Sequence, residues 1–210
     1  MSFMEKSLVD YFNEGGGFMW PILFCQVVGL AICIERFITL SRSGVNTRKF
    51  LVKIKQALDE GGVQRAVEVS ANQRGSVASI FHAGLLRAHK GVDQVEKAIV
   101  NAGAIEMAFL ERGMIWIAFF IAVAPMLGFT GTVQGMIQSF EAIAKANDIS
   151  PTIVATGISV ALLTTLFGLI VAMILQFFHN YFTAKINRLV VDMEETSAEL
   201  VDAIVELEHR

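Results

Sequence analysis

Apolar residues gather in three runs, and polar residues fill the stretches between them. Residues 18–40 (FMWPILFCQVVGLAICIERFITL), 113–140 (GMIWIAFFIAVAPMLGFTGTVQGMIQSF) and 152–182 are each long enough to cross a hydrocarbon core as a helix. Around them lie a polar to amphipathic segment at 1–17, a soluble stretch at 41–112, a short polar turn at 141–151 and an amphipathic tail at 183–210. In the first segment Leu8, Val9, Tyr11 and Phe12 alternate with Glu5, Lys6 and Asp10, a pattern suited to a membrane surface. Gly15-Gly16-Gly17 then breaks it. The soluble stretch carries helical patterns at Phe50/Ile54/Leu58 and Val92/Val95/Ile99. Asp59-Glu60-Gly61-Gly62 reads as a helix end, and Gln73-Arg74-Gly75-Ser76 as a turn. From about residue 92 no breaker precedes the second run, so one continuous helix is expected to pass from water into the bilayer near Gly113. In the tail Ile186, Met193, Leu200 and Leu207 recur every seven residues. Their companion positions are weak, which predicts packing on the 41–112 segment or on a neighbouring subunit rather than a coiled-coil seam.

The second and third runs are lined with small side chains. Ala124, Gly128, Gly131/Thr132, Gly135 and Ser139 fall on one helical face. Gly157, Ala161, Thr164/Thr165, Gly168 and Ala172 form a matching stripe in the third run. Such spacing lets two helix backbones approach closely in lipid. It predicts that Gly128, Gly131, Gly135, Gly157, Ala161, Gly168 and Ala172 pack the helices together.

Composition agrees with a membrane protein. Of the 210 residues, 54% are hydrophobic, above the share usual in a soluble domain, and mean hydropathy is +0.55. The net charge of −3, with no basic patch, gives no support for nucleic-acid binding. Most of the 17 Lys and Arg residues lie in 41–112, which puts that stretch in the cytoplasm. Three spans then leave the N-terminus and the 141–151 turn outside and the C-terminus inside. The acidic tail does not oppose this, because Asp and Glu weigh little in orientation. No basic segment precedes the first run, so a cleaved secretory signal is not expected. Cys25 and Cys33 lie roughly 12 Å apart by helical rise and cannot bridge within one helix.

Nothing points to a soluble active site, a metal site or a cofactor. The four histidines are scattered, and no phosphate loop, nucleophile elbow or CxxC motif is present. The informative feature is the absence of ionisable groups. Residues 113–140 hold none, and in the third run only His179 and Tyr181 occur, at its cytoplasmic end. An ion crossing here cannot use a carboxylate of these two spans. It can use the hydroxyls of Thr132, Thr165, Thr164, Ser159 and Ser139, which hold water but do not store a proton near neutral pH. The competing account is local: Ser and Thr in membrane helices also bond their own backbone or a neighbouring helix.

These residues also carry a resemblance. Ala124-Pro125-x2-Gly128-x2-Gly131-Thr132-Val133-x-Gly135-Met136-Ile137-x-Ser139-Phe140 resembles the signature of the MotA/TolQ/ExbB proton-channel family. Gly157-Ile158-Ser159-x-Ala161-Leu162-x-Thr164-Thr165-x2-Gly168-Leu169-x-Val171-Ala172 is similar to its third-span motif, and Trp20-Pro21-Ile22 with Ile34-Glu35-Arg36 fits its first span. Three spans with a cytoplasmic domain after the first look like the ExbB/TolQ branch. The resemblance implies an all-α inner-membrane protein with long cytoplasmic helical extensions. It further implies a homopentameric ring around a dimer of a single-span ExbD/TolR-like protein whose membrane Asp carries the ion. The implied work is passed to a TonB- or TolA-like protein, with Thr132 and Thr165 as polar pore lining. Two departures stand out: Val160 occupies a position where many ExbB and TolQ members have Glu, and Met173-Ile174-Leu175 replaces a stretch that often holds Pro. The rival reading from another class is an oligomeric scaffold that conducts nothing; a gliding or flagellar-type stator is the variant within the family.

Overall fold

The computed structural model describes residues 7–43, 47–146 and 151–208, and every regular element in them is helical. In chain order these are α1 (Leu8–Glu14), α2 (Met19–Ser43), α3 (Thr47–Ala71), α4 (Ser76–Leu85), a single 3-10 turn (Ala88–Lys90), α5 (Val92–Glu111), α6 (Met114–Ala146) and α7 (Pro151–Glu208). Three stretches of helix are long and apolar enough to cross a membrane, one each around α2, α6 and the first part of α7. The chain divides into two compact units. One comprises Met1–Ile34 and Gly113–Asn180, the other Glu35–Arg112 and Tyr181–Arg210.

The first unit is built on close backbone approach. Helix α1 starts on a capping box: the Ser7 hydroxyl accepts from the Val9 amide, and the Ser7 amide donates to Asp10 Oδ2 at 2.9 Å. Gly16, at φ 74°, takes the left-handed conformation that turns the chain into α2. Met19, Ile22, Cys25, Gly29 and Cys33 recur every three or four residues as the buried stripe of α2. A Cβ on Gly29 would lie 2.7 Å from Leu175 Cδ1, so α2 rests directly on α7 there. Large apolar groups such as Trp116, Phe129, Leu162 and Phe177 face outward. An apolar exterior of that extent requires hydrocarbon or another protein.

The second unit is built on large side chains. Phe50, Ile54, Ile80, Phe81, Leu85, Val95 and Ile99 make its core, with Phe50 and Phe81 stacked at 5.5 Å between ring centroids. The tail of α7 joins this core: Ile186, Met193 and Leu200 are buried, and Lys55 Nζ meets Glu199 Oε2 at 2.8 Å. Of the two packings anticipated for the tail, the one on the 41–112 segment is therefore present within the chain. Arg36, almost fully buried, pairs with Glu35 at 2.6 Å and donates from Nη1 to the Phe109 carbonyl at 3.3 Å, close to the end of α5.

Two expectations need correction. The helix beginning near residue 92 is not continuous into the second span. It ends at Glu111; Arg112 leaves the helical region and Gly113 adopts φ 84° before α6 starts at Met114. The positive φ is open to glycine at little cost, so the chain can turn where the polar helix meets the apolar run. The polar turn is also shorter than 141–151. Residues 141–146 are the last turns of α6, because Glu141, Ala142, Ala144 and Lys145 are good helix formers. The rest of that turn, 147–150, falls outside the described residues. Gly62, at φ 65°, kinks α3 where Asp59–Gly62 reads as a helix end, and residues 72–75 form the turn between α3 and α4.

Candidate ion pathway

Helices α6 and α7 run antiparallel and interlock through their small residues. A Cβ on Gly128 would lie 2.9 Å from the Thr164 carbonyl, one on Gly135 2.8 Å from the Gly157 carbonyl, and one on Gly168 2.6 Å from the Ala124 carbonyl. A Cβ on Gly131 would fall 2.6 Å from the Thr164 side chain, and one on Gly157 would overlap the Ser139 hydroxyl. Only glycine permits these approaches, since the neighbour is mostly backbone, which cannot rotate away. Ala124 and Ala161 are buried in the same seam. Ala172 is half-buried one turn beyond Gly168.

The hydroxyls divide into three groups. Thr132 and Thr165 meet across the seam, their Oγ1 atoms in direct hydrogen bond. Thr132 also reaches the Ala161 carbonyl at 3.1 Å and the Gly128 carbonyl at 3.3 Å, and Thr165 reaches the Gly128 carbonyl at 3.3 Å. Each hydroxyl has one proton, so two orientations satisfy the pair. In one, Thr132 donates to Thr165, which donates to Gly128. In the other, Thr165 donates to Thr132, which donates to a carbonyl. Both residues are half-buried.

Thr164 and Ser139 form the second group. Thr164 is fully buried and donates to its own helix at Val160 and Ala161, at 3.1 and 2.9 Å. Ser139, 3% exposed, donates to the Gly135 carbonyl at 3.2 Å. Their hydroxyls are committed to backbone, the local account given above for membrane Ser and Thr. Ser159 belongs to neither group. It is exposed on α7 and makes no hydrogen bond among the described residues. Of the five hydroxyls singled out in the sequence, Thr132 and Thr165 therefore meet across the seam, Thr164 and Ser139 are bonded to their own helices, and Ser159 stands apart.

Val160 does not face α6. Its Cγ1 lies 3.5 Å from where a Gly16 Cβ would be, on the side of α7 turned to the loop before α2. Side-chain amides lie in the spans too. Gln26, in α2, has a buried side-chain oxygen without a hydrogen-bond partner. Gln134 and Gln138, on α6, are exposed and make no hydrogen bond among the described residues. Glutamine inside an apolar run is the signal that would have found them.

Fold and site together define a multi-pass helical membrane protein whose last two spans lock through glycine around an uncharged hydroxyl pair. The chain belongs to the MotA/TolQ/ExbB proton channel family, whose pattern matches residues 72–195. A biopolymer transport protein ExbB homolog of Methanothermobacter thermautotrophicus is 30% identical over 182 residues, which is 86% of this chain and 64% of that protein. The Tol-Pal system protein TolQ of Pseudomonas aeruginosa is 29% identical over 89% of this chain and 90% of its own length. The biopolymer transport protein ExbB of Salmonella typhimurium is 31% identical over 93 residues, 44% of this chain and 38% of that protein. The chain thus spans just under two thirds of the length of the first of these relatives.

Proposed function

We propose that this chain is the ring-forming subunit of an ion-driven motor in a bacterial inner membrane. Five copies surround a dimer of an ExbD/TolR-like single-span protein, and an Asp in that protein's span carries a proton. The chain contributes Thr132 and Thr165 as the polar lining, with Thr164, Ser139 and the glycines fixing their position. The spans are residues 18–40, 113–140 and 152–182. Residues 41–112 and 183–210 lie in the cytoplasm, and 1–17 and the turn after α6 lie outside. The work passes to a TonB- or TolA-like protein, in keeping with relatives named for biopolymer transport and the Tol-Pal system.

The observation that carries this reading is a hydroxyl pair, half-buried between two spans that hold no acid over residues 113–140 and 152–178. A carboxylate from a partner costs several kcal/mol to bury unless something solvates it. A charge crossing 100 mV releases about 2.3 kcal/mol, so the cost must be lowered at a fixed point for the step to proceed. Hydroxyls held at one depth can do that without becoming charged. The test is a pair of isosteric changes, Thr132→Val and Thr165→Val, in vesicles holding both proteins. Ion uptake should fall to background in the double variant while the ring still assembles; undiminished uptake would refute the assignment. Running the assay in sodium and in potassium buffers identifies the ion.

A further inference from the structure

The cations of the second unit differ in what holds them. Arg36 pairs with Glu35, Lys55 with Glu199 and Arg65 with Glu68, each at 3.1 Å or less. Lys185 and Arg188, neighbours on one face of α7, have no carboxylate partner among the described residues. Asp192, one turn beyond Arg188 on that face, makes no ion pair with it. Lys185 is held by neutral groups near the end of α2 instead. Its ammonium donates to the Ser41 hydroxyl at 3.4 Å and stands 5.9 Å from the centroid of the Phe37 ring. Phe37 in turn stacks on Tyr181 at 6.4 Å between centroids.

The polar groups gathered here are donors. The Ser41 oxygen accepts from Lys185, which leaves its own proton to give. The Tyr181 phenol makes no hydrogen bond among the described residues. Two positive charges and two hydroxyls thus stand together without an acid, and an anion completes such a set. The apolar neighbours decide which anion. Phe37 is 50% exposed, Ile38 46% and Tyr181 45%, a surface for which a soluble phosphate has no use. Phe37 and Tyr181 also occupy the last turns of the first and third apolar runs, the level at which aromatic rings sit between acyl chains and headgroups. Lys185 and Arg188 follow one and two turns later, where headgroups lie. A phosphodiester at that level brings the charge, and its chains cover the rings. A headgroup amine would find no carboxylate among these groups, which disfavours a zwitterionic lipid.

We propose that Lys185, Arg188, Ser41 and Tyr181 bind the phosphodiester of an anionic phospholipid in the cytoplasmic leaflet, with Phe37 against its acyl chains. Ser41 and Phe37 hold the Lys185 ammonium before the lipid arrives, so little side-chain freedom is lost on binding. The inference rests on the membrane placement in the proposed function and is independent of the ring and of the ion pathway.

The test measures binding of radiolabelled phosphatidylglycerol to the full-length chain in mild detergent. Unlabelled phosphatidylglycerol should displace it at about a tenth of the concentration needed of phosphatidylethanolamine with the same acyl chains. Lys185→Gln and Arg188→Gln should each weaken binding about fivefold. Lys185→Arg should keep it, which separates loss of charge from loss of fold. Arg74→Gln, which removes an exposed cation in the turn between α3 and α4, should change nothing. Equal displacement by the two lipids, or full binding in the double glutamine variant, overturns the site. Displacement by millimolar inorganic phosphate overturns the lipid and leaves a site for a soluble anion. Placement is checked separately with Asn187→Cys, an exposed position between the two cations, in a chain that also carries Cys25→Ala and Cys33→Ala. In sealed vesicles a membrane-impermeant maleimide should reach it from the cytoplasmic side. Reaction from the opposite side overturns the placement and the leaflet together, whereas cytoplasmic reaction without a preference for the anionic lipid overturns the lipid site alone.

Discussion

The α6–α7 seam and the α3–α4–α5 core with the α7 tail solve the same packing problem with opposite materials. In the seam, backbone lies against backbone, and the contacts at Gly128, Gly135 and Gly168 leave no room for a methyl group. In the core, Phe50, Phe81, Ile54 and Leu85 fill the space between helices. The difference follows from the solvent. Water drives large apolar groups together, whereas lipid is as apolar as leucine and offers no such drive. Helices in lipid must gain from close approach and from hydrogen bonds instead, and the Thr132–Thr165 pair exists because glycine brings the two backbones near enough.

The comparison can be broken at several points. The largest effect expected is in the core: Phe81→Ala should cost about 3–5 kcal/mol, because the ring is fully buried. Limited proteolysis should then cut within 47–111 first, with the membrane unit still protected. Next comes Gly131→Leu, whose side chain would meet Thr164; overpacking of this kind costs about 1–3 kcal/mol and often more where backbone must move. Thermal unfolding in nanodiscs should show the loss, and protection of α3, α4 and α5 should survive it.

A sharper test uses one substitution in both regions. A Cβ on Gly84 would lie 2.8 Å from Ile99 Cγ1, and one on Gly128 would lie 2.9 Å from the Thr164 carbonyl. The distances match, but the Ile99 side chain can yield by changing rotamer, at some cost for a β-branched residue in a helix, and a helix carbonyl cannot. Replacing glycine by alanine gains about 1 kcal/mol of helix propensity in either place. Gly84→Ala should therefore melt within a few degrees of the parent, and Gly128→Ala clearly below it; equal shifts would show that the seam is no tighter than the core. The smallest effect should come from Lys55→Ala, since an ion pair with about 42% and 46% of its side chains exposed is worth less than about 1 kcal/mol.

The same contrast decides what could be read from the chain alone. Three apolar runs and two small-residue stripes are visible in the sequence because length and spacing depend on residue type. The break at Arg112-Gly113 is hidden, because a glycine where a polar helix meets an apolar run reads equally as packing or as a turn. The end of α6 is hidden because Glu141 and Lys145 look like the start of a polar turn yet form helix readily. Thr164 and Thr165 look interchangeable in the sequence. They are one residue apart, so one hydroxyl points into its own helix and the other across to Thr132, and only the register of two helices decides which. Gln134 and Gln138 are plain in the sequence but carry no charge and so escape a census of ionisable groups.

The most direct test of the central claim is ion flux into vesicles holding this chain alone or together with a single-span partner that has a membrane acid. On the proposed function the chain supplies neutral wetting groups and a partner brings the titrating group, so flux should require both proteins and vanish when the partner's acid is replaced by its amide. Strong, gated flux through the chain alone would contradict it.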